Sequence, residues 1–294
     1  MFREWEELPE YMKTELVHPY YEKRKSMYML LRKWDDLPDF IRLDEVKPYW
    51  EILYKRRGQL LLKRIFDLVV ALILLVILAI PMAIIAVLIK LDSEGTVFYR
   101  QERVTTYGCH FRIHKFRTMV SNADKIGTAV TIGNDCRITR VGSKLRHLRL
   151  DELPQVFDVI SGDMSFVGTR PEAAKYVKYY KPEWNATLLM PAGITSEASI
   201  HYKDEDKLLD ALEDIDEVYV NQVLPEKMKW NLESIRRFCF LREILTMFRT
   251  VFAVLGKDYG VRMDEGVDNH EGITTIRIRH QDNKRSKFDD IRKE

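Results

Sequence analysis

The most distinctive hydrophobic pattern in the chain is an uncharged run of 22 residues from Leu68 to Ile89. As a straight helix this run would be about 33 Å long, enough to cross the hydrocarbon core of a bilayer. Such a run is rare in soluble cores, so the pattern predicts a membrane segment. Pro81 lies near its centre, where it removes a helical hydrogen bond, and positive residues flank both ends. The pattern therefore leaves two topologies open, a tilted span and a kinked hairpin.

Beyond the apolar run, the pattern is that of a soluble domain. Partial alternation of apolar and polar residues predicts two short strands around a turn at Tyr107–Gly108. A polar loop, a helix near residues 141–150 and a second helix that starts close to Pro154 follow. Apolar residues at helical spacing predict a further helix over Trp230–Leu255, which packs on the domain or lies at the membrane surface.

The N-terminal region contains a duplication with a period of 29 residues. The sequence that begins at Arg3 matches the one that begins at Arg32, with shared Trp, Leu-Pro and Pro-Tyr positions. Prolines at these spacings suit the first turns of short helices. Two copies are few for a solenoid, so we expect a small helical appendage that packs on itself or binds a protein partner.

The predicted fold class is α+β and mostly helical. The chain divides into the duplicated helical unit at 1–57, the membrane segment at 58–91, a compact soluble domain with a small β-hairpin at 92–263, and a tail at 264–294. The tail is highly charged, and we expect a short strand in it, followed by disorder.

Composition narrows the classes of function. The chain of 294 residues is long enough for a sizeable core, and its formal charge of +2 gives no reason to expect a nucleic-acid partner. The 3 cysteines are scattered and form no CxxC pair, which argues against a disulfide framework or a zinc site. The N-terminus is charged and aromatic, so we expect no cleavable signal peptide.

The candidate chemistry lies at Asp151 and Glu152, an acidic pair beside the predicted helix start at Pro154. Basic residues accompany the pair in the sequence: Lys115, Arg117, Arg146, Arg149 and Arg170. A helix N-terminus with arginines suits a phosphate, and carboxylates can hold a divalent cation. One acid could attack phosphorus or activate another group. The alternative is a purely structural network of salt bridges.

The same segments resemble a known family. The hydrophobic segment, Lys115–Met119, Ile138–Gly142 and above all Leu150–Pro171 resemble the bacterial sugar transferases called monotopic phosphoglycosyl transferases. This resemblance implies transfer of a sugar-1-phosphate from a UDP-sugar to polyprenyl (undecaprenyl) phosphate, which starts a surface glycan such as an exopolysaccharide or O-antigen. It also implies a Mg²⁺ cofactor, contact with membrane lipid, and a bacterial inner-membrane location with the catalytic domain on the cytoplasmic face.

The resemblance also implies roles for individual residues. Asp151 matches the nucleophile, which forms a covalent phosphosugar intermediate and binds magnesium, and Glu152 matches its dyad partner. The expected substrate-binding residues are basic: Lys115, Arg117, Arg146 and Arg170. The family's hydrophobic segment is re-entrant and broken at a Ser-Pro pair, which favours a hairpin broken at Pro81.

Several positions depart from the family pattern. Ile80 stands where the serine of the Ser-Pro pair is expected, and Thr169 replaces a common proline. The segment Met190–Asp206 differs from the family in a region that often lies near the donor, so the identity of the sugar does not follow. Two alternatives stay open: a membrane-bound Mg-dependent nucleotide-sugar hydrolase, and a non-catalytic scaffold for glycosyltransferases. A homodimer is also left open.

Overall fold

A computed structural model describes residues 31–121, 123, 136–201, 215–254, 267–270 and 273–276. Within these residues helices predominate and the strands form two-stranded sheets, which confirms the mostly helical α+β class. The α-helices are α1 (Lys47–Lys55), α2 (Arg57–Asp92), α3 (Arg140–His147), α4 (Val156–Ser161), α5 (Ala174–Val177), α6 (Glu197–His201), α7 (Ile215–Val218), α8 (Leu224–Arg236) and α9 (Phe240–Val254). The strands are β1 (Phe98–Val104), β2 (His110–Phe116), β3 (Met164–Val167), β4 (Ala192–Thr195), β5 (Val267–His270) and β6 (Ile273–Ile276). The 3₁₀ helices are Trp34–Asp36, Thr106–Gly108, Leu150–Gln155 and Pro182–Leu189, and a π-helix covers Tyr219–Val223.

Two hydrophobic cores organise the described residues. The first, here called the proximal core, contains Ala71, Met82, Ile85, Ile89, Phe111, Ile113, Phe116, Leu145, Val156, Val159, Met164, Phe166 and Val167. The second, the distal core, contains Leu37, Ile41, Val46, Tyr49, Leu53, Val104, Tyr176, Val177, Trp184, Ala186, Leu188, Leu189, Tyr219, Val223, Leu224, Met228, Leu232, Ile235 and Phe238. The buried part of the uncharged run therefore belongs to the proximal core.

Helix α2 is 36 residues long and contains the whole uncharged run. Among the described residues it is the one helix long and apolar enough to cross a membrane, and only 17% of its most apolar window is buried. Pro81 lies inside α2, which continues on both sides of it. Proline removes one donor from a helix, and a long apolar helix tolerates that loss. The predicted hairpin of two helices broken at Pro81 is therefore not confirmed.

Both ends of α2 are attached to the same part of the protein. Near its start, the Arg64 guanidinium donates to the backbone oxygen of Val159 over 2.7 Å. At its end, the Asp92 carboxylate accepts a hydrogen bond from the backbone N–H of Val141 over 2.9 Å. Val159 is buried in the proximal core and Val141 packs against it. One domain thus holds both flanks of the apolar run.

The second copy of the N-terminal repeat is built into the distal core. Leu37, Val46 and Tyr49 are buried there beside residues of the soluble domain. Pro48 lies in the first turn of α1, as its spacing predicts. The predicted boundary at residue 57 separates residues that share a core, so an independent appendage is not confirmed. The first copy lies outside the described residues, and a partner for the repeat and a homodimer stay predictions.

The predicted β-hairpin is present. Strands β1 and β2 pair antiparallel, with Tyr99 opposite Lys115. Tyr107, with φ 56°, and Gly108, with φ 74°, form the turn between them. Strands β3 and β4 pair in parallel, which the hydrophobic pattern did not indicate. In the tail, β5 and β6 form a second antiparallel pair.

Helix α9 has two different faces. Its Glu243, Thr246 and Ala253 side chains are buried. Phe240 packs edge-on against Phe66 of α2, with 5.7 Å between the ring centroids. The opposite face exposes a row of large apolar side chains, here called the α9 stripe: Leu241, Leu245, Phe248 and Phe252. The predicted helix over Trp230–Leu255 is thus two helices, because α8 ends at Arg236 and α9 begins at Phe240. Helix α9 packs on the domain, as predicted, and presents an apolar surface next to α2.

Candidate active site

The acidic pair lies in the first turn of a short 3₁₀ helix. Helix α3 ends at His147, and Arg149 adopts a left-handed conformation with φ 53°, which turns the chain into Leu150–Gln155. Asp151 and Glu152 thereby lie at the N-terminal end of a helical segment that continues into α4. The partial positive charge at a helix start favours carboxylates there. The predicted placement is confirmed, although the helix is a 3₁₀ helix at this point.

Glu152 is held by two cations. Its Oε1 accepts hydrogen bonds from Lys115 Nζ over 2.8 Å and from an Arg170 guanidinium nitrogen over 2.5 Å. Burial by itself would raise the pKa of this carboxyl, but the charges of Arg170 and Lys115 outweigh it and hold the pKa well below the usual range. Glu152 is therefore a permanent anion that fixes Lys115 and Arg170 in place.

Asp151 lies in a different environment. Burial raises the pKa of its carboxyl, and repulsion from Glu152 adds to this, while Lys115 and Arg146 act against it. The side chain is half-buried. Among the described residues no ion pair involves this carboxylate, in contrast to Glu152. Asp151 is thus the acid whose oxygens are available to a ligand.

The structure brings Arg146 to the pair but not Arg117. Arg146 is half-buried, its Nε donates to Thr118 Oγ1 over 2.8 Å, and its charge lowers the pKa of Asp151. The buried guanidinium of Arg117 instead donates to the backbone oxygens of Ser93 and Glu94, at 2.7 and 2.8 Å. Arg117 therefore holds the loop that follows α2, and its guanidinium is engaged away from the acids.

The loop that carries Arg170 is fixed by close backbone contacts. Gly168 N–H donates to the Thr195 oxygen over 2.9 Å, and Gly193 N–H donates to the Thr169 oxygen over 2.8 Å. A Cβ on Gly193 would lie 2.2 Å from the Gly168 backbone nitrogen, so no side chain fits there. The parallel pairing of β3 with β4 thus presents Arg170 to Glu152 on a rigid turn.

Asp158 is a site-building residue that sequence reasoning missed. Its buried carboxylate accepts the backbone N–H of His114 over 2.8 Å and lies 2.6 Å from His114 Nδ1. This contact joins β2 to α4 and so places Lys115, the next residue, beside Glu152. The available signal was a lone acid within the apolar run of α4.

The donor set suits a magnesium ion that is shared with a substrate. The cations on Glu152 leave Asp151 as the carboxylate with unused oxygens. Within the part of the chain that the structure describes, no group of three or more His, Cys, Asp or Glu side chains could hold a metal by itself. Magnesium is often bound by one or two carboxylates together with substrate phosphates and water, and Asp151 fits that mode.

Known proteins share this region. A family model described as bacterial sugar transferase matches residues 58–257. The chain is 33% identical over 197 residues, 66% of this chain and 44% of the other, to UDP-N-acetylgalactosamine-undecaprenyl-phosphate N-acetylgalactosaminephosphotransferase of Aeromonas hydrophila. It is 36% identical over 197 residues, 65% of this chain and 40% of the other, to UDP-glucose:undecaprenyl-phosphate glucose-1-phosphate transferase of Escherichia coli. The protein of the same name from Caulobacter vibrioides is 33% identical over 199 residues, 67% of this chain and 70% of the other.

The matched region contains α2, the β-hairpin, the acidic pair and the loop of Arg170. The chain spans less than half the length of the Aeromonas and Escherichia relatives and most of the length of the Caulobacter protein. The family model covers more than half of this chain. Its first matched residue, 58, comes one residue after the start of α2. The chain belongs to the bacterial sugar transferase family.

Proposed function

We propose that this protein transfers a sugar-1-phosphate from a UDP-sugar to polyprenyl phosphate, with Asp151 as the nucleophile. The observation that carries the proposal is the difference between two adjacent acids. Glu152 is paired with Lys115 and Arg170, whereas the Asp151 carboxylate has no ion pair among the described residues. The Aeromonas and Escherichia relatives are named for transfer from UDP-linked sugars to undecaprenyl phosphate, which supports the same reaction class.

The proposed transfer has two displacements. In the first, a carboxylate oxygen of Asp151 bonds to the phosphorus that carries the sugar, and the bond from that phosphorus to the bridging oxygen breaks. UMP leaves with the electron pair. In the second, an oxygen of polyprenyl phosphate bonds to the same phosphorus and the aspartyl oxygen leaves, which restores the carboxylate. Both nucleophiles are anions, so no proton has to be removed from them.

The residues around Asp151 lower the barrier for an anion that attacks another anion. Arg146 and Lys115 attract the Asp151 charge, and Arg170 is held beside Lys115 through Glu152. Fixed cations of this kind stabilise charge on phosphate oxygens without reorganisation during the reaction. Asp151 would hold magnesium together with the donor phosphates, and the bound ion would neutralise phosphate charge.

The attachment of both ends of α2 supports a re-entrant arrangement in a membrane. A spanning helix would place Arg64 and Asp92 at opposite membrane surfaces, yet both are bonded to one domain. We infer that α2 bends within the apolar run without losing its helical continuity, so that the run enters and leaves the same leaflet, and that the α9 stripe rests on the same lipid surface. This arrangement would place Asp151 near the headgroups of the cytoplasmic face of the inner membrane, where the acceptor phosphate lies.

The test is a UMP-release assay on the purified full chain with a panel of radiolabelled UDP-sugars, with and without polyprenyl phosphate. We expect turnover that requires the lipid, and a sugar-phosphate adduct on Asp151 by mass spectrometry when donor is supplied alone. Breakdown that is independent of the lipid would instead favour a hydrolase.

Asp151→Asn is the matched variant, because it keeps the shape of the side chain and removes its charge. We expect it to fold, to form no adduct and to lose transfer by at least about a thousandfold. If this variant still supported glycan assembly in cells, the scaffold alternative would replace the proposal.

A further inference from the structure

The β-hairpin presents a polar row beside the acidic pair. Tyr99 lies opposite Lys115 in the β1–β2 register, and residues directly opposite in an antiparallel pair share a face. Gln101 and Arg103 follow at even spacing along β1, so they lie on that same face. All three side chains are half-buried, and the Lys115 amine reaches Glu152. The row thus extends from the acidic pair along β1.

Arg103 is a cation without a counter-charge of its own. Its guanidinium donates to Gln101 Oε1 over 2.6 Å, and among the described residues no carboxylate forms an ion pair with it. The nearby Glu172 is already engaged, because its Oε1 accepts from Tyr219 Oη over 2.8 Å and from Lys227 Nζ over 3.2 Å. A half-buried guanidinium in this position favours an anion from outside the protein.

Arg103 lies beside the loop of Arg170, because the backbone N–H of the next residue, Val104, donates to the Glu172 oxygen over 3.0 Å. Burial lowers the pKa of Arg103, Glu172 opposes this effect, and the charge of Arg170 lowers the pKa further. Arg170 reaches Glu152 of the acidic pair. The space around Arg103 therefore adjoins the reacting centre, and two neighbouring guanidinium groups there are suited to a phosphate.

The position of Arg103 in the fold indicates which phosphate it meets. The next residue, Val104, belongs to the distal core, and Phe111, directly opposite Arg103 in the register, belongs to the proximal core. Arg103 thus lies where the two cores meet, and it adjoins the acidic pair only through Arg170, whose guanidinium contacts Glu152. The donor carries a second phosphate next to the one that reacts, whereas the acceptor carries a single phosphate. A cation at this distance from the reacting centre therefore suits the second phosphate of the donor.

We propose that Arg103, oriented by Gln101, binds the phosphate of the nucleotide half of the donor, the one that leaves as UMP. The inference rests on the proposed function. When the bond between the two donor phosphates breaks, the electron pair moves to an oxygen of UMP. A guanidinium at that phosphate stabilises the charge that develops there.

Binding of radiolabelled UMP, measured by equilibrium dialysis on the full chain in nanodiscs, tests the proposal without requiring turnover. We expect Arg103→Gln to weaken UMP binding about tenfold to a hundredfold and Arg103→Lys to weaken it less, because Lys keeps the charge but not the planar fork. Arg112→Gln is the matched control, since Arg112 is exposed on the opposite face of the same hairpin. Equal UMP affinity in wild type and Arg103→Gln would overturn the proposal.

A second measurement separates the donor from the acceptor. Enzyme that carries the sugar-phosphate adduct is mixed with polyprenyl phosphate, and the discharge rate is followed. We expect wild type and Arg103→Gln to discharge at equal rates. Slower discharge with unchanged UMP binding would assign Arg103 to the acceptor and refute the donor assignment. If wild type itself bound no UMP, the proposed function would fail, which distinguishes that outcome from failure of the inference alone.

Arg103→Gln is expected to fold, because Lys227 continues to neutralise Glu172. The wild-type protein provides a check that needs no variant. Modification of arginines by phenylglyoxal, followed peptide by peptide, should be slowed by UMP at Arg103 and not at Arg112. Absence of protection at Arg103 would contradict the proposal whether or not the variant folds.

Discussion

Asp151 and Glu152 are adjacent in the chain, but only Glu152 is paired with cations. Its Oε1 lies 2.8 Å from Lys115 Nζ, and Arg170 contacts the same oxygen. These contacts hold the pKa of Glu152 well below its usual range, whereas burial raises the pKa of Asp151. One acid is stabilised as an anion and supports the site. The other is destabilised as an anion, which increases its basicity and suits it to attack phosphorus.

This difference predicts stability changes of opposite sign at neutral pH. Asp151→Asn removes a charge that folding disfavours, because a raised folded pKa means that stability is lost as the pH rises through it. We expect its Tm to rise by about 2–4 °C. Glu152→Gln leaves Lys115 and Arg170 without their counter-charge, and we expect its Tm to fall by about 4 °C or more. Thermal unfolding by intrinsic fluorescence measures both, and shifts of the same sign would contradict this account.

The raised pKa of Asp151 also predicts how the rate of adduct formation falls at acidic pH, that is, the acid limb of the pH–rate profile. Adduct formation should fall as the pH drops through this pKa, at a pH above the value of about 3.9 for an ordinary aspartate. Because Arg146 lowers the pKa of Asp151, Arg146→Gln should move the limb to still higher pH. Single-turnover rates at saturating donor measure this shift. Lys144→Gln, an exposed lysine on the same helix, is the control. If Arg146→Gln left the acid limb at the same pH, electrostatic coupling between Arg146 and Asp151 would be excluded.

The sequence allowed the acidic pair to be predicted because the relevant signals are local. A proline three residues after Asp151 marks a helix, and the acids precede it. Lys115 and Arg170 lie 37 and 18 positions from Glu152, so their charge and the family resemblance associated them with the acids, but no local pattern indicated that both contact Glu152. Arg117 shows the limit of a local pattern. Alternation along a strand puts it on the face of Lys115, but β2 ends at Phe116 and the Arg117 guanidinium turns to the loop after α2.

Tertiary packing was harder to predict, for a physical reason. The apolar residues of the second repeat, such as Leu37 and Tyr49, indicated a buried face but not what covers it. The covering surface comes from residues more than a hundred positions away, including Trp184 and Met228. Likewise, Pro81 indicated a possible break in α2, but one missing donor does not decide whether a helix continues.

The contact between Gly168 and Gly193 predicts a sharp difference between two glycine substitutions. In Gly193→Ala the new Cβ would meet backbone 2.2 Å away, so the Arg170 loop must shift. We expect a loss of stability of about 2 kcal/mol or more, together with reduced transfer. Gly58→Ala is the control, since nothing lies within 4 Å of its Cβ and it lies in helix α2. It should be neutral or stabilising by about 0.5–1 kcal/mol. Chemical denaturation compares the two, and equal effects would contradict the rigid-turn interpretation.

The α9 stripe predicts a second contact with lipid. Leu245 is 57% exposed and Phe248 is 54% exposed, on a helix that packs beside α2. Leu245→Glu adds a charge to an apolar surface. In a background of Ile77→Ser and Ile80→Ser, which weakens insertion of α2 at exposed positions, we expect it to weaken flotation with vesicles of anionic and zwitterionic lipid about tenfold. Because all three side chains are exposed, the fold should be retained, and circular dichroism checks this.

Lys229→Gln is the control for the change in net charge. It also lowers the charge by one, on the exposed side of α8, and its side chain is 71% exposed. If the α9 stripe rests on lipid, Leu245→Glu reduces flotation and Lys229→Gln does not. If both variants float equally well and Leu245→Glu instead changes the oligomeric state, a second copy of the chain covers the stripe. The membrane position of the site would then depend on α2 alone, because no other described helix has its length and apolar composition.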